Sequence, residues 1–245
     1  MDTFLFQLDE ARLRLLGRGL LALGLPLIAA MSFLGPIKPG KGMLPRGFKM
    51  PMLAIELPES GEDVRTIVKV SGKGETPEDQ AADGARRMKN GLLFDLGIIL
   101  LYGSTLAALG LLLYLSPAPG LARVAGAVAA ALGVAAGLLD VVENVRIWKV
   151  IDGARDAASL DALSTVSLWK WGLLAVAFLL LSGLFALGTR TAAGLAMLCL
   201  VTGVVGTIGL KRHPVLETAM MLIVLTLLAA ILLFAFRPGN LLREL

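Results

Sequence analysis

Residues 121–145 read LARVAGAVAAALGVAAGLLDVVENV. Between Arg123 and Asp140 no charged side chain interrupts the apolar run. As an α-helix this stretch would be about 37 Å long, enough to cross a hydrocarbon core of about 30 Å. No alternation of apolar and polar residues suggests a strand. Gly126, Ala130, Gly133 and Gly137 form a stripe of small residues, which lets helix backbones approach closely in lipid. Ordinary close packing is the plain reading of that stripe, and a homodimer face is the alternative.

Similar runs lie on either side. Together they predict an all-α, polytopic transmembrane bundle of about six spans, near residues 19–35, 91–115, 121–145, 166–187, 191–210 and 214–236. The chain has 245 residues, 56% apolar and 17% charged, with mean hydropathy +0.78. A soluble domain would be about a quarter charged, and here the deficit is concentrated in the runs. The first span is short and contains Pro26, which favours a kink or tilt. Ahead of it, residues 1–18 place Phe4, Leu8, Ala11 and Leu15 at helical spacing among Asp9, Glu10, Arg12 and Arg14. That pattern suggests an interfacial amphipathic helix and not a cleavable signal peptide. Spans five and six are joined only by residues 211–214, so they form an antiparallel pair.

One hydrophilic insert, residues 36–90, separates spans one and two and is too small for a large core of its own. We expect it to pack on the membrane domain. Its first part, 36–51, is rich in Pro, Gly and Lys and reads as irregular chain along the headgroups. Residues 52–57 form a short apolar run, extended or interfacial. Ser60 and Asp63 suit a capping box ahead of Val64, Ile67 and Val68. Thr76-Pro77-Glu78-Asp79 is a stronger helix start, with a cap, a proline at the first position and acids in the first turn. That helix should run through Arg86, Arg87 and Lys89 into span two.

Several classes of chemistry have no support. A single cysteine, Cys199, allows no intrachain disulfide, and the lone His213 argues against haem held by paired histidines. No phosphate loop, HExxH or zinc spacing occurs. No cofactor is evident. The net charge of +4 is modest, and its basic residues flank the spans. The lipid bilayer and its anionic headgroups are therefore the expected partners, not nucleic acid. His213 reads as a solvated loop residue, Cys199, Met220 and Met221 as packing or lipid-facing, and Thr202 and Thr207 as bonded back to their own helix.

Ionisable residues inside spans are costly and mark functional sites by default. Asp95 lies about one turn into span two, with Tyr102 on the same face. Asp140, Glu143 and Asn144 share one face at the end of span three. Lys170 lies about one turn into span four, flanked by Trp169 and Trp171 as interfacial anchors. Glu217 is about one turn into span six. An even number of crossings puts all of them at one depth, near the insert-side edge of the hydrocarbon. Four carboxylates there need neutralising by Lys170, by Arg146, by protons or by a cation. A metal would be hard and oxygen-ligated, since the layer offers neither His nor Cys.

Three readings follow: a network that fixes packing as a structural or scaffold subunit, a site that binds a proton, cation or small polar ligand, or an enzyme acting on a membrane-borne substrate. An enzyme needs a substrate-sized opening beside the carboxylates, and a pore needs polar residues in the far half of the spans. Those far halves are apolar, which favours a one-sided site. The insert and its adjoining links carry more Lys and Arg than the side bearing the termini, so the insert is expected to face the cytoplasm, in a bacterial inner membrane.

The run Leu53-Ala54-Ile55-Glu56-Leu57, Asp95 with Tyr102, Asp140-x-x-Glu143-Asn144, and Lys170 together resemble an uncharacterised group of small bacterial multi-span membrane proteins. The likeness covers roughly residues 54–172, and the Asp-x-x-Glu-Asn element is its most specific part. Members of that group more usually carry aromatic residues around the first Asp. Here Phe94 remains, but Gly97 and Ile98 follow. Spans five and six lie outside the likeness. The resemblance supports a site and implies no particular activity.

Overall fold

The computed structural model describes residues 10–37, 39–40, 42–115, 120–186 and 190–237. Among these the regular structure is entirely helical. The helices are α1 (Glu10–Leu34), α2 (Pro51–Glu56), α3 (Gly61–Val70), α4 (Pro77–Leu115), α5 (Gly120–Ile151), α6 (Ala157–Phe185), α7 (Arg190–Gly209) and α8 (Val215–Phe236). Five of them, α4 to α8, are long and apolar enough to cross a membrane. Many large apolar side chains on these helices face outward, among them Leu100, Leu138, Met197 and Leu225. Lipid is the solvent that such surfaces fit. The chain is thus an integral membrane helical bundle.

Consecutive long helices from α4 to α8 pack against each other, and α1 packs on α8 and α4. The described part of the amphipathic N-terminal stretch and the first apolar run form one continuous helix, α1, which passes through Pro26 without ending. Residues 1–9 of the proposed interfacial helix lie outside the described residues. Gly17 sits against the backbone of Phe234 and Ala235 at the end of α8, whereas Gly24 faces Leu101 and Leu27 faces Gly97 of α4. These contacts run α1 antiparallel to both neighbours.

The small-residue stripe of α5 is spent inside the chain. A Cβ at Gly126 would lie 2.7 Å from the carbonyl oxygen of Gly110, and one at Gly133 would lie 2.7 Å from Leu106 Cβ. The stripe therefore faces α4, as the close-packing reading holds.

Above the membrane-spanning part the helices continue into a cap. α4 starts at Pro77, where Thr76 Oγ1 accepts from Asp79 N–H at 3.2 Å. It then runs unbroken through Arg86, Arg87 and Lys89, as the sequence predicts. α5 extends to Ile151 and α6 begins at Ala157, well outside the predicted spans 121–145 and 166–187. Hydropathy marks where lipid ends, not where the helix ends. A cap from Asp156, which accepts from Ser159 N–H at 2.9 Å, starts α6. Gly153, at φ +120°, takes the turn between α5 and α6 in a conformation that glycine tolerates.

The insert closes this cap. Ser60 and Asp63 form the predicted capping box, with bonds of 3.1 and 3.2 Å. Val64, Ile67 and Val68 bury one face of α3, which packs on α4. Residues 52–57, expected to be extended or interfacial, instead lie in the short buried helix α2 and its C-terminal residue Leu57. Proline at its first position and six residues of length leave too little periodicity to show this in sequence.

Candidate functional site

Lys170 is the hub. Its side chain is buried on α6, and its Nζ donates to Asp140 Oδ1 at 3.1 Å, to Glu56 Oε2 at 3.2 Å, and to Glu143. Tyr102 Oη donates to the other oxygen of Asp140 at 2.8 Å. Asn144 Nδ2 donates to Asp95 Oδ2 at 2.8 Å. Asp95 thus points into the bundle, and it is only part-buried, whereas Asp140, Glu143, Asn144 and Lys170 are buried. Depth follows from helix geometry: Lys170 lies about 20 Å along α6 from its start at Ala157. Trp169 at that level is exposed.

Six of the seven predicted site residues therefore converge: Asp95, Tyr102, Asp140, Glu143, Asn144 and Lys170. Glu217 does not join them. Its Oε1 instead accepts the N–H groups of Lys49 (2.5 Å) and Met50 (2.8 Å), just ahead of α2. The reason is azimuth: α8 packs mainly on α1 and α7, so a shared depth does not bring Glu217 to Lys170. Arg146, a suggested neutraliser, makes no ion pair with the network, and its buried Nε has no hydrogen-bond partner.

Sequence reasoning missed three members. Glu56 enters from α2, with Trp171 Nε1 donating to its Oε2 at 2.9 Å. Ser167 Oγ donates to the Glu56 carbonyl at 3.0 Å and also contacts Glu143. Ser167, Lys170 and Trp171 lie at i, i+3 and i+4, the same spacing as Asp140, Glu143 and Asn144 on the facing helix. That matched pair of faces was the available signal, together with an acid set between Ile55 and Leu57. Trp169 and Trp171 are not a pair of anchors. Two residues apart on a helix they point to different sides, Trp169 to lipid and Trp171 to the network.

Outside the cluster, His213 is a partly exposed loop residue whose Nδ1 meets the Arg46 guanidinium. Burial, and then the Arg46 charge, lowers its pKa. Arg46, at φ +58°, also donates to Leu57 O at 2.8 Å and pairs with Glu59 at 3.1 Å. Thr202 bonds Thr226 of α8 at 2.9 Å instead of its own helix, whereas Thr207 bonds back to Gly203 O as expected. Cys199 is buried packing.

Glu56 lies outside the spans, and burial raises its pKa above the ordinary 4.5, with Lys170 pulling the other way. Folded Glu56 keeps its proton to higher pH than the unfolded chain does. Stability from this group is full below 4.5 and drains away as pH rises through the folded value. Glu56→Gln keeps an acceptor for Trp171 and removes the ionisation. Melting curves at about pH 5 and about pH 8 should show a smaller drop for Glu56→Gln than for the wild type. An equal drop would mean Glu56 does not hold its proton more tightly when folded.

Compared with known proteins, the chain matches no family model, no curated protein and no solved structure.

Proposed function

We propose that this chain is a six-pass membrane protein whose insert-side network binds and releases protons. The observation that carries the reading is one ammonium, Lys170 Nζ, placed among Glu56, Asp140 and Glu143, with Asp95 close behind Asn144. Four carboxylates against one ammonium leave an excess of negative charge that a buried, low-dielectric setting does not tolerate. Protons cancel that excess without needing room. A metal ion would need the centre that the ammonium already fills, so the proton is the best supported of the small ligands. Asp95, the least buried of the network's acids, is the group through which protons would exchange.

The antiparallel run of α1 along α4 and α8 supports its assignment as the sixth crossing, with both termini on one side. We assign the insert to the cytoplasmic face of a bacterial inner membrane, on the excess of Lys and Arg in residues 36–90 and their adjoining links. The enzyme reading requires a substrate-sized opening at the carboxylates. A groove of about 470 Å³ lies between α7 and α8 and shares no residue with the network.

Infrared spectroscopy tests the reading directly. The wild type at neutral pH should show a protonated-carboxyl stretch that fades at alkaline pH. The band should weaken in Glu143→Gln and be unaffected by added divalent cations. A wild-type spectrum with only ionised carboxylates at neutral pH would overturn the proposal.

A further inference from the structure

The groove between α7 and α8 lies at the opposite end of the bundle from the carboxylates. It is bounded by Gly194 and Leu198 of α7 and by Ala229, Leu232 and Phe236 of α8, with Arg237 at its rim. We propose that this groove seats one acyl chain of an anionic phospholipid, whose phosphate pairs with Arg237.

Size, apolar lining and charge carry the assignment. The volume of about 470 Å³ falls within the range of about 300–1,000 Å³ typical of apolar ligand sites. Gly194 keeps the groove open, because a Cβ there would meet nothing within 4 Å. Apart from Arg237 every lining residue is apolar or glycine. Arg237 is exposed and forms no ion pair among the described residues. An apolar wall ending in one cation is the complement of an anionic amphiphile.

Charge at the rim favours an anionic headgroup, because Arg237 is the one ionisable side chain among the residues that line the groove.

Melting of the purified full-length protein in a neutral detergent tests this, with added phosphatidylglycerol or phosphatidylcholine of identical chains. Phosphatidylglycerol should raise the wild-type Tm saturably by about 4 °C, and phosphatidylcholine by less than half as much. Arg237→Gln, a surface change, should reduce the phosphatidylglycerol response to the phosphatidylcholine level. Gly194→Leu, which fills open space, should abolish both responses while keeping the lipid-free Tm. Equal wild-type responses to the two lipids, or a full phosphatidylglycerol response in both variants, would overturn the proposal. So would a change of oligomeric state in Gly194→Leu with its lipid response intact, since the groove would then seat a second copy.

Discussion

Lys170→Met should lower stability by about 3–5 kcal/mol at about pH 8, because it leaves buried carboxylates without their shared cation. The methionine fills nearly the same volume, so the loss is electrostatic and not a cavity. Nζ serves Asp140 at 3.1 Å and Glu56 at 3.2 Å as well as Glu143, and each loses its ion-pair partner. Tyr102 still serves Asp140, and Trp171 still serves Glu56. The deficit should therefore shrink as pH falls and the carboxylates take up protons. Lys170→Met combined with Glu143→Gln should recover part of the loss, since one unpaired charge is gone. Thermal melts of the three proteins across pH decide the matter. A Lys170→Met protein as stable as the wild type at alkaline pH would show that the lysine is not holding an ionised cluster.

How much of this network could be read in the sequence depends on which coordinate is asked for. Depth was legible. Asp95, Asp140, Glu143, Asn144 and Lys170 each lie at a fixed distance from a span end, and alternating crossings stack those distances at one level. Rotation about the helix axis was legible within a helix, where Asp140, Glu143 and Asn144 fall on one face. It was not legible between helices, and so Glu217 was placed with groups it does not touch. The short link at 211–214 sets α8 beside α7, but nothing in spacing tells that its other main neighbour is α1. Glu56 escaped for another reason. Six residues of α2 are fewer than two turns, too short for a 3.6-residue period to stand out, and its burial comes from tertiary packing against α5 and α6.

The insert's hold on the site can be broken at one atom. A Cβ at Gly84 of α4 would lie 1.9 Å from the carbonyl oxygen of Val68, and one at Gly72 would lie 2.1 Å from the carbonyl oxygen of Gln80. At this crossing α3 and α4 touch backbone to backbone, and a backbone oxygen cannot move aside as a side-chain tip can. Gly84→Val must therefore lift α3 off α4. The cost is about 3 kcal/mol or more, at or above the upper end of ordinary overpacking, because Val64, Ile67 and Val68 lose part of their burial. α3 also packs on α2, which carries Glu56, so the displacement reaches the network. Limited proteolysis of Gly84→Val should cut the insert near residues 71–76 much faster than in the wild type. Helix content of the membrane part should hold, because α5 to α8 do not depend on this contact. Gly183→Ala, whose Cβ meets nothing within 4 Å, is the matched control and should melt no lower than the wild type. If Gly84→Val resists protease as the wild type does, α3 does not rest on α4 at this glycine. The cap would then have to be held over Glu56 and Lys170 by other contacts.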